Sequence, residues 1–218
     1  MEDVRIFMNY RRLKTLRRCN TLPTVVSEDV AQHSFYVAML AMAMADEYNT
    51  YADEHNLEFH PLDVENQMEL VNTEKVLRKA LCHDTDEAIT GDIPWNIKHM
   101  NDEFHQEITK AINSRMEQIY DGSKTMELCH KFSMECKDGF EGQFVEVADM
   151  LELGIYSWEE VSMGNKAMMP MLKKCIRLTE NFTQSTILEK ASPLFCSVMN
   201  LIKSVPGSMK LEDLYDID

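Results

Sequence analysis

Residues 81–98 read LCHDTDEAITGDIPWNIK, and the interpretation of the whole chain starts from this stretch. It closes a predicted helix over residues 73–84, because the apolar residues before it recur at helical spacing. The helix ends on the adjacent pair His83-Asp84, and the turn-forming run TGDIP (90–94) follows. Adjacent side chains diverge on a regular helix, but at a helix end the backbone can bend so that both reach one ion. This junction is therefore a candidate ligand site.

The rest of the chain has the pattern of a helical protein. It contains only 7 Gly and 6 Pro in 218 residues, and no alternation strong enough to define a strand. Further helices are predicted over residues 3–18, 29–49, 101–120, 125–136, 140–163 and 171–203. We predict an all-α, single-domain fold over residues 1–205. Within it, the polar residues 50–72 form an insertion or long loop, and residues 206–218 follow as an acidic tail.

The composition excludes several classes of partner. Net charge is −15 and the pI is about 4.9, so we expect no nucleic-acid polymer as a partner. The first residues, MEDVRIFMNYRRLK, lack an apolar signal core, and no run of about 18 apolar residues predicts a membrane span. Six cysteines without a CxxC motif favour a reducing, cytoplasmic location.

Two further polar residues lie on apolar helical faces. His33 falls on the apolar stripe of the helix 29–49, and Asp149 on that of the helix 140–163. Taken alone, each has an ordinary alternative, a satisfied core histidine or a structural hydrogen-bond acceptor. A buried carboxylate is costly unless it is paired or bound to metal. Together with the His-Asp pair, they form a mixed nitrogen and oxygen donor set that suits Mn²⁺, Co²⁺, Fe²⁺ or Zn²⁺.

Three segments resemble the HD-domain metal-dependent phosphohydrolases, and among these most closely the bacterial 5′-deoxynucleotidases. The segments are AQHSFYVAMLAMAMA (31–45), LCHDTDEAITGDIPWNIK (81–98) and VEVADMLEL (145–153). The family pattern is H…HD…D on an all-helical core, and the resemblance covers roughly residues 10–160. It implies one divalent ion, Mn²⁺, Co²⁺, Mg²⁺, Fe²⁺ or Zn²⁺, in the helix core. The implied ligands are His33, His83, Asp84 and Asp149.

The same resemblance implies the remaining roles. Glu87 matches the acidic residue that works with a metal-adjacent water, and a carboxylate there can orient the water and take its proton. Asp92 matches a position that lines the same pocket, and we group it with Glu87 as catalytic. Arg18 matches the phosphate-binding arginine, whose guanidinium offers bidentate geometry to a phosphate. Lys98 matches a basic residue that contributes to substrate binding.

Two positions depart from the family pattern. The relatives that prefer deoxynucleotides carry a tryptophan beside the phosphate-binding arginine, where this chain has Cys19. Trp95, conversely, stands where the relatives have a small polar residue. It could stack on a base or fill the space beside the sugar, and the alternative is plain packing. The preference for deoxyribose is therefore open.

The resulting prediction is an enzyme that dephosphorylates (deoxy)nucleoside 5′-monophosphates to nucleoside and phosphate. One alternative is a dNTP triphosphohydrolase of the same superfamily, with Arg11, Arg12 and Arg17 supplying positive charge at the pocket mouth. Another is a non-enzymatic helical protein that binds metal or nucleotide. The resemblance also implies a possible homodimer.

Overall fold

The computed structural model describes residues 2–55, 70–94, 97, 100–120, 123–182 and 185–204, and every regular element among them is helical. The α-helices are α1 (Glu2–Tyr10), α2 (Val30–Glu54), α3 (Thr73–Cys82), α4 (Glu87–Thr90), α5 (Asp102–Tyr120), α6 (Lys124–Met134), α7 (Gly139–Ser162), α8 (Met169–Asn181), α9 (Ser185–Ala191) and α10 (Pro193–Lys203). Short 3₁₀ turns occur at Leu13–Thr15 and Lys166–Met168. The prediction of an all-α fold is confirmed.

The core is built around the two long helices α2 and α7, which pack against each other. They contribute fully buried side chains to one apolar cluster, among them Val37, Ala41, Met44, Val145, Ala148 and Leu151. Burial of one such large apolar side chain contributes roughly 1.5–3 kcal/mol. Helix α3 packs on both α2 and α7. Polar side chains on the inward faces of these three helices must therefore meet inside the protein.

The start of α2 is fixed by a capping box. The side chain of Asp29 accepts the backbone N–H of Gln32 at 2.9 Å, and the Gln32 side chain accepts the N–H of Asp29 at 3.3 Å. The start of α3 is fixed by Asn72, whose Oδ1 accepts the N–H of Lys75 at 2.9 Å. These caps set the register in which α2 and α3 present their inward polar residues.

The predicted helix 3–18 is wrong beyond Tyr10. After the turn Leu13–Thr15 the chain runs antiparallel to the segment before α2. The backbone N–H of Arg18 donates to the backbone carbonyl oxygen of Glu28 at 2.9 Å. Further contacts between these segments are the 3.0 Å bond from Val30 N–H to Leu16 O and the β-bridge between Arg17 and Asp29. Pairing between distant segments is invisible to local helical patterns, and it places Arg18 in a turn directly after the paired residues rather than at a helix end.

The predicted helix 171–203 is wrong as a single element, because it consists of most of α8 followed by α9 and α10. The break before α10 has a local cause. Pro193 has no N–H and disfavours a helical conformation at the residue before it. Ser192 is accordingly extended, with φ −129° and ψ 99°, and its side chain accepts the N–H of Phe195 at 3.0 Å as an N-cap.

Helix α2 extends to Glu54, so the first part of the segment 50–72 is helical rather than a loop. Residues 56–69 and the predicted tail 206–218 lie outside the described residues. The insertion, the tail and the single domain over 1–205 therefore stay predictions. Within the described segments, none of the helices combines the length and the apolar character needed to cross a lipid bilayer.

Candidate metal centre and active site

The four predicted metal ligands come together from three parts of the fold. His33 lies on α2, Asp149 lies on α7, and His83 and Asp84 follow α3. The Nε2 atom of His33 is 3.2 Å from Nε2 of His83. The same atom is 3.3 Å from Oδ1 of Asp149 and 3.6 Å from Oδ2 of Asp84. Nε2 of His33 thus has the imidazole nitrogen of His83 and one oxygen of each carboxylate within 3.6 Å, in the space between α2, α3 and α7.

The adjacent residues His83 and Asp84 reach this point because α3 ends just before them, at Cys82. Residues 83–86 form a turn, and Nε2 of His83 lies 3.1 Å from Oδ2 of Asp84. The turn removes the divergence that a regular helix would impose on two neighbouring side chains.

Each imidazole is held by its other nitrogen. Nδ1 of His83 lies 2.7 Å from the carbonyl oxygen of Ala80, and because a carbonyl only accepts, Nδ1 carries the hydrogen. Nδ1 of His33 bonds to a carboxylate oxygen of Glu152. In the neutral rings, both Nε2 atoms then point lone pairs at the same place, which is the arrangement that fixed ligand histidines adopt around a cation.

The electrostatics of the cluster also favour a cation. Burial acts against the charged form of His83, but the carboxylates of Asp84 and Asp149 raise its pKa above the ordinary value. The ligand atoms of His33, His83 and Asp84 all lie within 4.8 Å of one another. Nitrogen and oxygen donors in this mixture suit borderline to hard divalent ions. The residues present therefore fit a divalent metal ion.

Both carboxylates of the cluster are ionised at neutral pH. Burial would raise their pKa values, but neighbouring positive charge outweighs it. His83, and more weakly Arg18, lower the pKa of Asp84 to about 2. For Asp149, the nearby ammonium of Lys137 is the largest opposing influence and holds the pKa well below its usual range.

Arg18 reaches the cluster from the turn that precedes α2 in the chain. Its Nη1 lies 3.9 Å from Oδ2 of Asp84, and its Nε lies 4.0 Å from Oε2 of Glu28. The guanidinium is largely buried, yet its Nη1 has no hydrogen-bond partner among the described residues. A buried donor left in this state is costly unless a further acceptor completes it.

The structure describes two of the other predicted site residues. Glu87 is buried at the start of α4, and its backbone N–H donates to the backbone carbonyl oxygen of Asp84 at 3.1 Å. The backbone oxygen of Asp92 accepts a 3.2 Å hydrogen bond from the side chain of Asn20, which brings it beside the turn that contains Arg18. Trp95 and Lys98 lie outside the described residues, and their roles stay predictions.

Sequence reasoning missed the acidic residues behind His33. Glu152 is buried on α7 and contacts Nδ1 of His33, and a carboxylate oxygen of the buried Glu28 lies within 4.8 Å of this pair. Burial and mutual repulsion raise the pKa of Glu28, and burial raises that of Glu152. The spacing of Glu152 from Asp149, three residues along one helix, was the available signal, because it puts both on one face.

Lys137 was missed as well. It lies in the turn between α6 and α7, and its Nζ is 2.7 Å from Oδ2 of Asp149. A loop residue carries no periodicity, so no pattern in the sequence predicts this contact.

This fold, with its His, His-Asp and Asp donors on inward helical faces, defines the class of HD-domain metal-dependent phosphohydrolases. The model of the YfbR-like 5′-deoxynucleotidases matches residues 5–187, and the chain belongs to this family. It is 30% identical over 170 residues to a 5′-deoxynucleotidase of Enterobacter sp. (strain 638), a match that covers 76% of this chain and 77% of that protein.

Solved structures agree on the fold. An HD-domain phosphohydrolase from Listeria innocua is similar with a TM-score of 0.66 at 18% identity, covering 90% of this chain and 89% of that one. The cyanophage S-2L HD phosphohydrolase DatZ, bound to dA and one catalytic Zn²⁺ ion, is similar with a TM-score of 0.59 at 12% identity. That match covers 91% of this chain and 96% of the other. The prediction of an HD-domain phosphohydrolase that acts on phosphate esters is confirmed.

Proposed function

We propose that this protein hydrolyses the phosphate ester of nucleoside 5′-monophosphates, including deoxynucleotides, to nucleoside and inorganic phosphate. The observation that carries the proposal is the cluster of His83, Asp84 and Asp149 around Nε2 of His33, in a chain of the YfbR-like family. These four residues would hold one divalent ion. The candidate ions are Mn²⁺, Co²⁺, Mg²⁺, Fe²⁺ and Zn²⁺.

A divalent ion bound there would supply Lewis acidity and positive charge beside the reacting phosphoryl group. We assign Glu87 to orient the attacking water and to take its proton while the bond between phosphorus and the 5′ oxygen breaks. Its burial supports this assignment, together with its position three residues after Asp84, where its backbone N–H donates to the backbone carbonyl of that ligand. Asp92 is assigned to the pocket wall next to the Arg18 turn.

Arg18 is assigned to the phosphate. Its buried Nη1 has no hydrogen-bond partner among the described residues, and a phosphate oxygen would complete it. Lys98 is assigned to the nucleotide on the basis of the family resemblance, and Trp95 because its ring could stack on a base. A homodimer is proposed on the basis of the family resemblance, and a cytoplasmic location on the basis of the cysteine pattern and the absence of an apolar signal core in the first residues.

The triphosphate alternative needs more positive charge directed into the site. Arg17, which would contribute to it, donates instead to the side chain of Thr24 on the neighbouring loop. Arg11 and Arg12 are exposed on the turn before it. The contact of Arg17 with Thr24 and the exposure of Arg11 and Arg12 favour a monophosphate substrate.

The test is a substrate screen with the purified protein after removal of bound metal by a chelator. Nucleoside mono- and triphosphates, in ribo and deoxy forms, are incubated with each candidate ion, and products are separated by chromatography. We expect inorganic phosphate and nucleoside from monophosphates. Tripolyphosphate from a dNTP, or metal binding without any product, would instead support one of the two alternatives.

A further inference from the structure

The two carboxylate oxygens of Asp149 contact different partners, and one of these partners is Lys137. Oδ1 lies 3.3 Å from Nε2 of His33, inside the ligand cluster, and Oδ2 lies 2.7 Å from Nζ of Lys137. The lysine therefore contacts a metal ligand through the oxygen that faces away from His33. This contact fixes the rotation of the carboxylate about its last bond.

The contact with Asp149 leaves part of the ammonium group of Lys137 available. An ammonium has three N–H donors, and the described residues provide one partner for them, Asp149. The side chain of Lys137 is 43% exposed, whereas that of Asp149 is 23% exposed. The side chain of Lys137 thus remains partly open to solvent beside the ligand Asp149.

Arg18 occupies the corresponding position on the other carboxylate, with Nη1 3.9 Å from Oδ2 of Asp84. Each carboxylate of the cluster thus has one cation beside it. A divalent ion would balance the charges of Asp84 and Asp149, so these two ligands would leave Arg18 and Lys137 able to attract an anion. A phosphomonoester dianion carries two negative charges and needs donors on more than one side.

We propose that Lys137 is a second phosphate-binding residue, which contacts a non-bridging oxygen of the substrate phosphate while it orients Asp149. The proposal rests on the proposed function, because it concerns the phosphate that this site would hold. Arg18, beside Asp84, and Lys137, beside Asp149, would then both contact the phosphoryl group. An exposed ion pair without this role would contribute at most about 1 kcal/mol, to stability alone.

The test uses inorganic phosphate as the probe, so that no turnover is needed. Phosphate binding to the Mn²⁺-loaded protein is measured by calorimetry for the wild type, Lys137→Met, Lys137→Arg and the control Lys131→Met. Lys131 is a suitable control because it is also a lysine paired with a carboxylate, Glu135, at 4.0 Å, but on the surface of α6. Mn²⁺ binding without phosphate is titrated separately for each variant.

We expect Lys137→Met to weaken phosphate binding roughly tenfold or more at saturating Mn²⁺, because a charge-assisted hydrogen bond is lost. Lys137→Arg should recover most of the affinity, and Lys131→Met should match the wild type. With nucleotide, the Lys137→Met variant should lose kcat/KM mainly through KM. Phosphate affinity unchanged in Lys137→Met at saturating Mn²⁺ would overturn the proposal, even if Mn²⁺ binding is weaker, because the lysine would then act through Asp149 alone. Failure of the wild type to hydrolyse any monophosphate would contradict the proposed function, whereas the phosphate titration would still decide the role of Lys137.

Discussion

Nε2 of His33 and Nε2 of His83 lie 3.2 Å apart although the two residues are fifty positions apart in the chain. Each ring is fixed from its far side, His83 by the carbonyl of Ala80 and His33 by the carboxylate of Glu152. Lone pairs that face each other at this distance repel unless a cation lies between them or a proton is shared. The nearby carboxylates of Asp84 and Asp149 would stabilise such a cation or proton between the two rings.

Glu152 gives the first prediction. Replacement by leucine removes the acceptor for Nδ1 of His33, so the ring loses its fixed orientation. We expect Glu152→Leu to weaken divalent metal binding by roughly 10- to 100-fold, as removal of a partner of a ligand histidine does. Glu152→Gln keeps an acceptor oxygen and should lose less. Metal titration of both variants checks this, and equal affinity in Glu152→Leu and the wild type would refute the orienting role.

The four proposed ligand residues were predicted from the resemblance to the family pattern His, His-Asp, Asp, because a single polar residue on an apolar helical stripe has an ordinary structural alternative. Glu152 lies on the same stripe as Asp149 but was not recognised, since a single acidic residue among apolar ones has no unique meaning. Lys137 is in a turn, where position is set by the packing of α6 and α7 rather than by periodicity. The contacts of Lys137 could come only from the three-dimensional structure.

The errors in secondary structure have similar causes. The segment after Tyr10 has helical composition, but its backbone pairs with residues just before α2, a contact between segments that a local pattern cannot register. The last predicted helix, in contrast, contains a local helix-breaking residue, Pro193. Pairing between distant segments leaves no local pattern in one sequence, whereas a proline that interrupts a helix does.

Glu160 gives a prediction about stability. This buried carboxylate accepts N–H bonds from Val25 and Val26 at 2.7 Å each and a 2.6 Å bond from the side chain of Asn165. It thereby ties the loop before α2 to α7. Burial alone would raise its pKa, but these hydrogen bonds, that of Asn165 first, lower it below the ordinary value.

A lowered folded-state pKa means that Glu160 stabilises the protein above the ordinary carboxyl range and loses this effect as pH falls through the lowered value. We expect Glu160→Gln to lower the free energy of unfolding at pH 7 by about 1–3 kcal/mol. The difference from the wild type should shrink below about pH 4. Urea denaturation at several pH values measures both, with Glu189→Ala on the exposed face of α9 as a control expected to stay within about 0.5 kcal/mol. A constant difference across pH would show that the charge of Glu160 is not the cause.

Cys19 gives a prediction about the sugar. It follows Arg18 with a positive φ of 51°, and the family resemblance predicts a tryptophan at this position in enzymes that prefer deoxynucleotides. A small side chain leaves room for a 2′-hydroxyl, so we expect the wild type to accept both sugars. Cys19→Trp should raise the ratio of kcat/KM for deoxy- over ribonucleoside monophosphates by roughly tenfold, a typical effect of steric change in a pocket. Cys19→Ser, a control of similar size, should leave the ratio unchanged. The idea fails if Cys19→Trp keeps activity and the ratio does not move.

The most direct test of the four-residue metal centre is to measure metal occupancy and phosphate release together in Asp149→Asn. This change keeps the shape of the side chain and removes one ligand charge. We predict one divalent ion per chain in the wild type with release of phosphate from a nucleoside monophosphate. In the variant, both occupancy and turnover should be lost. Full occupancy and full turnover in Asp149→Asn would contradict the account.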